Sequence, residues 1–326
     1  MKETRWMQKS FALLAIFFVS GPVARAQANR TFVSGVGDDA NACTRSVPCR
    51  TFAGALTKTR TGGEIDTVDT GGYGTFSIGK AVTIDGGGGL ATILASDRSN
   101  GVFVNAGPND VVVLRHLSIN GLVQTGNPGT NGVKVNAAKA VYVIDCLIQN
   151  FANDGIDFEP TGGGALFVRD SAVINNGGPS SAGIFVKSPS GSAQASIENT
   201  RADGNSVGIW AKDNSRVSVS DSVVSKNVST GLVASSDSGA PAEMNVERSV
   251  VTLNAVGIQS GGCTGRGPAT VRISNVSVTS NSSAGLSFTT ILTRPGCGKG
   301  DIISSKNNTV LGNNPDGAPT QTIVQQ

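Results

Sequence analysis

Residues 208–230 read GIWAKDNSRVSVSDSVVSKNVST, and the next residue, Gly231, starts the same pattern again. Each copy opens with glycine and an aliphatic residue, and most copies carry a second apolar residue two positions later. The opening glycines stand 23 to 28 residues apart and number seven, at Gly132, Gly155, Gly183, Gly208, Gly231, Gly257 and Gly285. A period of this size is typical of a solenoid, in which each repeat buries its apolar face only against its neighbours.

Two further strand-like runs follow the Gly strand in each repeat. The first alternates apolar and polar residues, as in Val217-Ser218-Val219-Ser220, and this period of two indicates a strand with one buried face. The second is shorter and ends in an asparagine at corresponding positions of six repeats, namely Asn176, Asn205, Asn227, Asn254, Asn281 and Asn313. Asparagine tolerates left-handed backbone and bonds neighbouring main chain, so these residues predict a ladder of amides at one corner.

Three strands in each turn are the organisation of a right-handed parallel β-helix. Over residues 80–314 the repeat resembles that of the pectin-lyase-like superfamily, which reads Gly-Ile-x-Val, then Val-x-Ile-x-Asn, then Ile-x-x-Asn. The resemblance implies an all-β, single-domain solenoid of about ten coils. It does not imply one activity, because this scaffold hosts lyases, hydrolases, epimerases, binding proteins and adhesins.

The chain is expected to divide into four segments. Residues 1–26 read as a secretory signal, with a basic start, an apolar run and a small-x-small site that places cleavage near Ala26. Residues 27–80 form an N-terminal cap, residues 81–314 the β-helix and residues 315–326 a C-terminal cap or tail. We therefore expect a secreted or periplasmic protein without a membrane span, because no later run is apolar enough to cross a bilayer.

Charge gives no argument for nucleic-acid binding. The whole chain has 26 basic and 23 acidic residues, but the signal contains four of the former and one of the latter, which leaves 22 of each. A neutral mature protein lacks the positive field that attracts nucleic acid. We expect a monomer.

The N-terminal segment is expected to close one end of the solenoid. Phe52, Ala55, Leu56 and Thr59 share one helical face, which predicts a short amphipathic helix that covers the open core and its strand edge. Four cysteines are predicted to form two disulfides, Cys43 with Cys49 and Cys263 with Cys297, the second between successive coils. Cys146 follows a strand without a partner and is expected to be buried.

The residues that point away from the core of the Gly strands are expected to form two files along the stack. The first file is Phe103, Lys134, Asp157, Phe185, Trp210, Val233, Gln259 and Ser287, and the second is Asn105, Asn136, Glu159, Lys187, Lys212, Ser235, Gly261 and Thr289. This alternation places Trp210 in solvent. Tyr142 and Phe167 are expected to point outward in adjacent coils of the second sheet and to stack there.

Three functions remain open from the sequence. The first is binding of a polysaccharide, with an acidic one favoured, through Phe185, Trp210, Lys187 and Lys212, since aromatic faces suit sugar rings and lysines suit carboxylates. The second is a polysaccharide lyase or epimerase that uses Asp157, Glu159 and Lys134, in which either a lysine or Glu159 takes the proton next to a uronate carboxylate and a neighbouring lysine stabilises the developing charge. If Lys134 is the base, Lys187 is expected to lower its pKa. The third is a non-enzymatic surface or envelope scaffold, in which these charges are only a solvated ladder of ion pairs and the loop 187–195 covers the aromatics.

The resemblance to known enzymes is incomplete at the site itself. The frame Gly155-Ile156-Asp157-Phe158-Glu159 resembles the Asp-Pro-His-Asp motif of β-helical alginate epimerases and lyases, with Asp157 at the first Asp and Glu159 at the His. No cofactor is expected, apart from a weak Ca²⁺ site at Asp38, Asp39 and Asn41.

Overall fold

The computed structural model describes residues 27–87, 91–123, 126–263, 269–288 and 297–324. The chain passes repeatedly through three sheets in a fixed order, and each strand pairs in parallel with the equivalent strand one turn away. The predicted all-β parallel β-helix is therefore confirmed. Nine parallel strands of the described chain form the first sheet, close to the ten coils expected.

Each sheet collects one strand from every turn. The Gly-strand sheet contains Phe76–Ile78, Val102–Asn105, Val133–Ala137, Ile156–Phe158, Ala182–Val186, Val207–Lys212, Thr230–Ser236, Val256–Cys263 and Ala284–Ser287, with Cys297–Lys299 antiparallel to Val256–Cys263. The second sheet contains Ala28–Val33, Thr59–Thr67, Val82–Asp85, Val111–Arg115, Ala140–Ile144, Gly164–Arg169, Ala193–Glu198, Ser215–Ser220, Ala242–Glu247, Ala269–Ser274, Asp301–Ser305 and Gln321–Ile323. The third sheet contains Gly71–Gly72, Ala91–Leu94, Leu117–Asn120, Leu147–Gln149, Ala172–Ile174, Arg201–Asp203, Val223–Ser225, Val250–Thr252, Ser277–Thr279 and Thr309–Leu311.

The opening glycine of each repeat is required by close packing at a corner. A Cβ atom on Gly155 would stand 2.3 Å from Val173 Cγ1 and 2.7 Å from the carbonyl oxygen of Gly183. Gly208 meets Val224, Asn227 and the next glycine's carbonyl in the same way. The glycine therefore lets three elements meet where the next strand begins. It also turns the residue before it outward, so that Ala182 and Val207 lie on the outer face with Trp210.

The predicted asparagine ladder is present and buried. Asn227 illustrates it, since its Oδ1 accepts from the main-chain N of Asn205 at 2.9 Å and its Nδ2 donates to Asn254 Oδ1 at 2.8 Å. The same bonds recur along the stack, and Asp316 ends the ladder by accepting from the amide of Asn313 at 2.9 Å. The ladder satisfies main-chain groups that the corner removes from the sheets.

A short helix closes the first coil, as predicted. It spans Phe52–Lys58, with Thr51 as its N-cap, and buries Phe52, Ala55 and Leu56 against the solenoid. The disulfide between Cys43 and Cys49 is formed beside it.

The other sequence predictions about the termini and cysteines have mixed outcomes. Cys146 is buried, as expected. The strand register sets Cys263 opposite Cys297, but their side chains lie outside the described part of the chain, so that disulfide stays a prediction. The secretory signal, residues 1–26, also lies outside the described residues. Among the residues that are described, no helix has the length and apolar character to cross a membrane.

Candidate functional site

The first outward file of the Gly-strand sheet is assembled as predicted. The register aligns each member with the next, from Phe103 through Lys134, Asp157, Phe185, Trp210, Val233 and Gln259 to Ser287. Residues about two dozen positions apart are therefore neighbours at one coil spacing, which is about 4.8 Å. This file is the basis of the candidate site.

The second file is assembled only in part. Lys212, Ser235 and Gly261 are aligned as expected. At the other end the prediction is wrong, because the register shifts after Val135 and sets Asn105 opposite Ala137 instead of Asn136. Thr289 lies outside the described residues.

Lys134, Asp157 and Glu159 form a compact ion cluster on this face. Lys134 Nζ donates to Asp157 Oδ2 at 2.7 Å and to Glu159 Oε2 at 2.8 Å. Lys187 belongs to the coil after that of Glu159, and its Nζ lies 3.9 Å from Glu159 Oε1. Asp157 is only 6% exposed, and its Oδ1 has no hydrogen-bond partner among the described residues. A buried acceptor of this kind can bond to a water molecule, an ion or a ligand.

The electrostatics of the cluster contradict the proposed role of Lys134 as a base. Burial alone lowers its pKa, but the hydrogen bonds from Lys134 to Asp157 and Glu159 outweigh burial and raise that pKa above the ordinary value. The expectation of a lowered pKa is therefore wrong, because two carboxylates accept hydrogen bonds from the Lys134 ammonium group at 2.7 and 2.8 Å. With its pKa raised, Lys134 stays an ammonium group. Burial raises the pKa of Asp157, although Lys134 acts in the opposite direction.

Asp154 belongs to the same site and was missed in the sequence. Its Oδ1 accepts from the main-chain N of Ala182 at 2.6 Å. Burial, followed by the negative charge of Asp157, raises the pKa of Asp154 to about 7. The available signal was its position directly before Gly155, because the residue before the repeat glycine turns outward and none of the other six copies has a charge there.

Trp210 is not the exposed platform that the alternation predicted. It is 7% exposed and packs with Ala182, Val207 and Val233, while Phe185 meets it edge-on at 5.4 Å between ring centroids. Its Nε1 donates to Ser235 Oγ at 2.9 Å. The prediction of exposure is wrong because the residues before the repeat glycines also point outward. Together these side chains make a small hydrophobic cluster on the outer face. Phe185 remains half-buried beside Asp157.

Each lysine predicted for ligand binding has an acidic neighbour. Lys187 faces Glu159 at 3.9 Å, whereas Lys212 Nζ lies 2.8 Å from Asp237 Oδ2 and 5.1 Å from the centre of the Trp210 ring. Lys187 has the longer ion pair, so it is the more available of the two for an anionic ligand.

Two other groups of acidic residues in the described chain lie beside cationic side chains. In the loop proposed for Ca²⁺, the Lys58 ammonium donates to the main-chain oxygens of Asp39 and Asn41, while the Asp39 carboxylate accepts from the Thr51 hydroxyl. This arrangement disfavours a cation there. Glu64, Asp66 and Asp85 also lie close together in the described part of the chain, but the neighbouring Arg30 and Arg115 pair with them.

Comparison with known proteins gives the fold a family. The model of the right handed beta helix region matches residues 69–264 and 131–314, which together span more than half of the chain. No curated protein matches the sequence.

Several solved structures are similar in fold. They include the pectate lyase Pel9A, at 14% identity and a TM-score of 0.61, with 91% of this chain and 80% of that chain covered. An alginate lyase from Paenibacillus sp. strain FPU-7 is similar at 15% identity and a TM-score of 0.55, with 92% of this chain and 100% of that chain covered. XylC in complex with xylose is similar at 10% identity and a TM-score of 0.54, with 87% of this chain and 75% of that chain covered. These likenesses concern the fold alone, and with the family match they confirm the predicted right-handed parallel β-helix.

Proposed function

Since the chain belongs to the right-handed β-helix family, we propose that it is an exported protein that binds a polysaccharide along the outer face of the Gly-strand sheet. The observation that carries the proposal is the single file in which Lys134 and Asp157 lie between Phe103 and Phe185, with Glu159 bonded to Lys134 from the second file. A polymer laid along the solenoid axis meets an aromatic ring, a polar cluster and a second aromatic ring in succession. Export agrees with the Cys43–Cys49 disulfide, since disulfides persist in oxidising compartments.

The chemistry of this face suits sugar hydroxyls. Carboxylates accept hydrogen bonds and ammonium groups donate them, so Glu159 and Lys187, both half-buried, provide the two kinds of partner that a hydroxyl needs. Rings such as Phe185 provide apolar area for the C–H faces of a sugar. The shared pairing of these charges also holds the side chains in place before a ligand arrives.

A preference for acidic glycans rests on Lys187. Because Lys134 and Lys212 are held by close carboxylates, Lys187 is the group best able to exchange its long contact with Glu159 for a uronate carboxylate. This predicts a modest preference for uronates over neutral sugars and not an absolute requirement.

The test is a binding screen with neutral polysaccharides and polyuronates. Lys187→Ala is expected to weaken polyuronate binding about tenfold, since charge-assisted hydrogen bonds contribute roughly 1.5–3 kcal/mol. Lys139→Ala is the matched control, because Lys139 is an exposed lysine away from this file. Equal binding by both variants, or no binding by the wild type to any polysaccharide, contradicts the proposal.

A second candidate function, a uronate lyase or epimerase, is favoured by one observation. Asp154 has a pKa near 7 next to two further carboxylates, and such displaced pKa values are concentrated at catalytic sites. In this reaction Glu159 takes the proton from the carbon next to the uronate carboxylate, Lys134 and Lys187 stabilise the resulting anion, and Asp154 is the proton donor. Loss of the neighbouring C–O bond then gives an unsaturated lyase product, whereas return of a proton to the opposite face gives the epimer.

Incubation of polyuronates in D₂O distinguishes catalysis from binding. A lyase generates unsaturated uronate absorbance, and an epimerase incorporates deuterium at the abstracted position. Both signals should disappear in Glu159→Gln, which removes the base and keeps the size of the side chain. Binding without either signal leaves the first function and excludes the second.

A further inference from the structure

The outer face of the second sheet carries a separate depression next to two stacked aromatic rings. Tyr142 and Phe167 occupy successive coils in register, with ring centroids 4.5 Å apart and ring planes 12° apart. Phe167 is 36% exposed. In the two following coils the same file continues with Ser196 and Ser218. Because serine is far smaller than phenylalanine, the aromatic stack stops there and leaves one face of the Phe167 ring uncovered.

The space beyond Phe167 has the size of a small ligand. A cavity of about 260 Å³ lies over the two serines and is bounded by Phe167, Gln194 and Asn245. A second one, of about 200 Å³, adjoins it beside Tyr142 and Phe167. Successive coils are about 4.8 Å apart, which is close to the 4.5 Å separation of the two rings. A ligand ring placed one coil further along therefore continues the stack.

The polar groups around this space are free for a ligand. The side chains of Gln194, Ser196, Ser218 and Asn245 form no hydrogen bond with any described residue and are exposed. They present hydroxyl and amide groups, which both donate and accept. Arg216 also lines this space and lies 3.9 Å from Glu243, so the cavity contains one guanidinium group, which donates hydrogen bonds and has an acidic neighbour. An aromatic wall beside four uncharged hydrogen-bonding side chains matches a hydroxyl-rich sugar ring better than a purely apolar ring.

We propose that this depression binds one pyranose unit of a neutral saccharide, with the apolar face of the sugar stacked on Phe167 and its hydroxyls bonded to Gln194, Ser196, Ser218 and Asn245. The site lies on a different sheet from the Gly-strand face and does not depend on the function proposed for that face. It gives the solenoid a second, uncharged glycan contact, and two contacts on one rigid body increase the avidity for a long polymer.

The test uses calorimetric titration with cellohexaose, mannohexaose and xylohexaose. The proteins are the wild type and Lys187→Ala, in which the Gly-strand face is impaired, each with and without a change on the second sheet. Phe167→Ala removes the stacking surface. Ser196→Phe fills the depression with a third ring in the same file, at a strand position where phenylalanine is well tolerated, so this variant should remain folded even if the first does not.

At least one oligosaccharide is expected to bind, and both changes on the second sheet should weaken its binding tenfold or more in either background. The Lys139→Ala control should bind like the wild type. Three results overturn the proposal: no oligosaccharide binds the wild type, Ser196→Phe binds unchanged, or indole competes with the sugar at equal concentration, which indicates a general aromatic pocket. If binding is lost in Lys187→Ala and insensitive to Ser196→Phe, this site fails and the Gly-strand face stands.

Discussion

The strongest quantitative prediction concerns Asp154→Asn. Asparagine keeps an oxygen that accepts from the main-chain N of Ala182, a bond of 2.6 Å in the native protein, and it removes the charge. The carboxyl has a pKa of about 7 against an ordinary value of 3.8, chiefly because of burial and then because of Asp157. Each unit of that displacement corresponds to about 1.4 kcal/mol, so ionised Asp154 costs the folded state as much as about 4 kcal/mol.

The pH dependence of this effect has a definite sign. Below about pH 4 Asp154 is protonated in both the folded and the unfolded chain, so it contributes no penalty. Between pH 4 and pH 7 the unfolded chain ionises and the folded chain does not, and the penalty grows until both are ionised. The variant should therefore gain stability over the wild type as pH rises from 4 to 8. It should gain nothing further above that range.

The assay is urea unfolding of both proteins at pH 4 and pH 8. Taking the difference between variant and wild type at each pH cancels the contributions to stability that the two proteins share. We expect the difference in unfolding free energy between variant and wild type to increase by about 2–4 kcal/mol from the lower to the higher pH. Titration of the Asp154 carboxyl carbon by NMR measures its pKa directly. A difference that stays within about 0.5 kcal/mol, which is typical of surface substitutions, refutes the argument that this carboxyl is held in a desolvated, acidic site.

The remaining predictions concern the scaffold and are measured by urea unfolding. Asn227→Ala should destabilise the protein by about 3 kcal/mol, because it removes three buried hydrogen bonds, whereas the exposed Asn245→Ala should be within about 0.5 kcal/mol of wild type. Gly155→Ala should cost about 3 kcal/mol through its clash at the corner, while Gly72→Ala, with nothing within 4 Å of the added carbon, should be tolerated. Trp210→Ala should lose about 3–5 kcal/mol as a buried residue, and a loss below about 1 kcal/mol supports the exposed ring that the alternation predicted.

The fold was predictable because the repeat states the same constraint many times. The glycine, the strand with a period of two and the corner asparagine recur at matching positions of the repeats. One atypical repeat therefore does not change the predicted fold, because the other repeats carry the same pattern. The outward file was predictable for the same reason. What the sequence could not provide is which outward residues cover one another. Trp210 is buried by Val207 and Ala182, which precede repeat glycines, and simple alternation assigns such residues to no definite face.

The pKa values of the ion cluster were also beyond the sequence. Lys134, Asp157 and Glu159 were correctly grouped from the register, but the sign of each effect depends on distances. An ammonium group 2.7 Å from one carboxylate and 2.8 Å from another keeps its proton, whatever a second lysine two coils away contributes. Asp154 was missed because it precedes the strand and joins the site only through the turn at Gly155.

The position of this costly cluster within the solenoid bears on function. In a solenoid each coil is stabilised mainly by its two neighbours, so a local penalty must be offset locally. The coils on either side supply that support: the amide of Asn176 accepts from the main-chain N of Phe151, a fully buried ring, and Gly155 packs against the same asparagine. A buried Asp157 and a partly buried Asp154 therefore persist where the core is well anchored. Proteins retain such unfavourable carboxylates chiefly at sites that bind or react, and this is a physical reason, independent of any resemblance, to expect a ligand at Lys134 and Glu159.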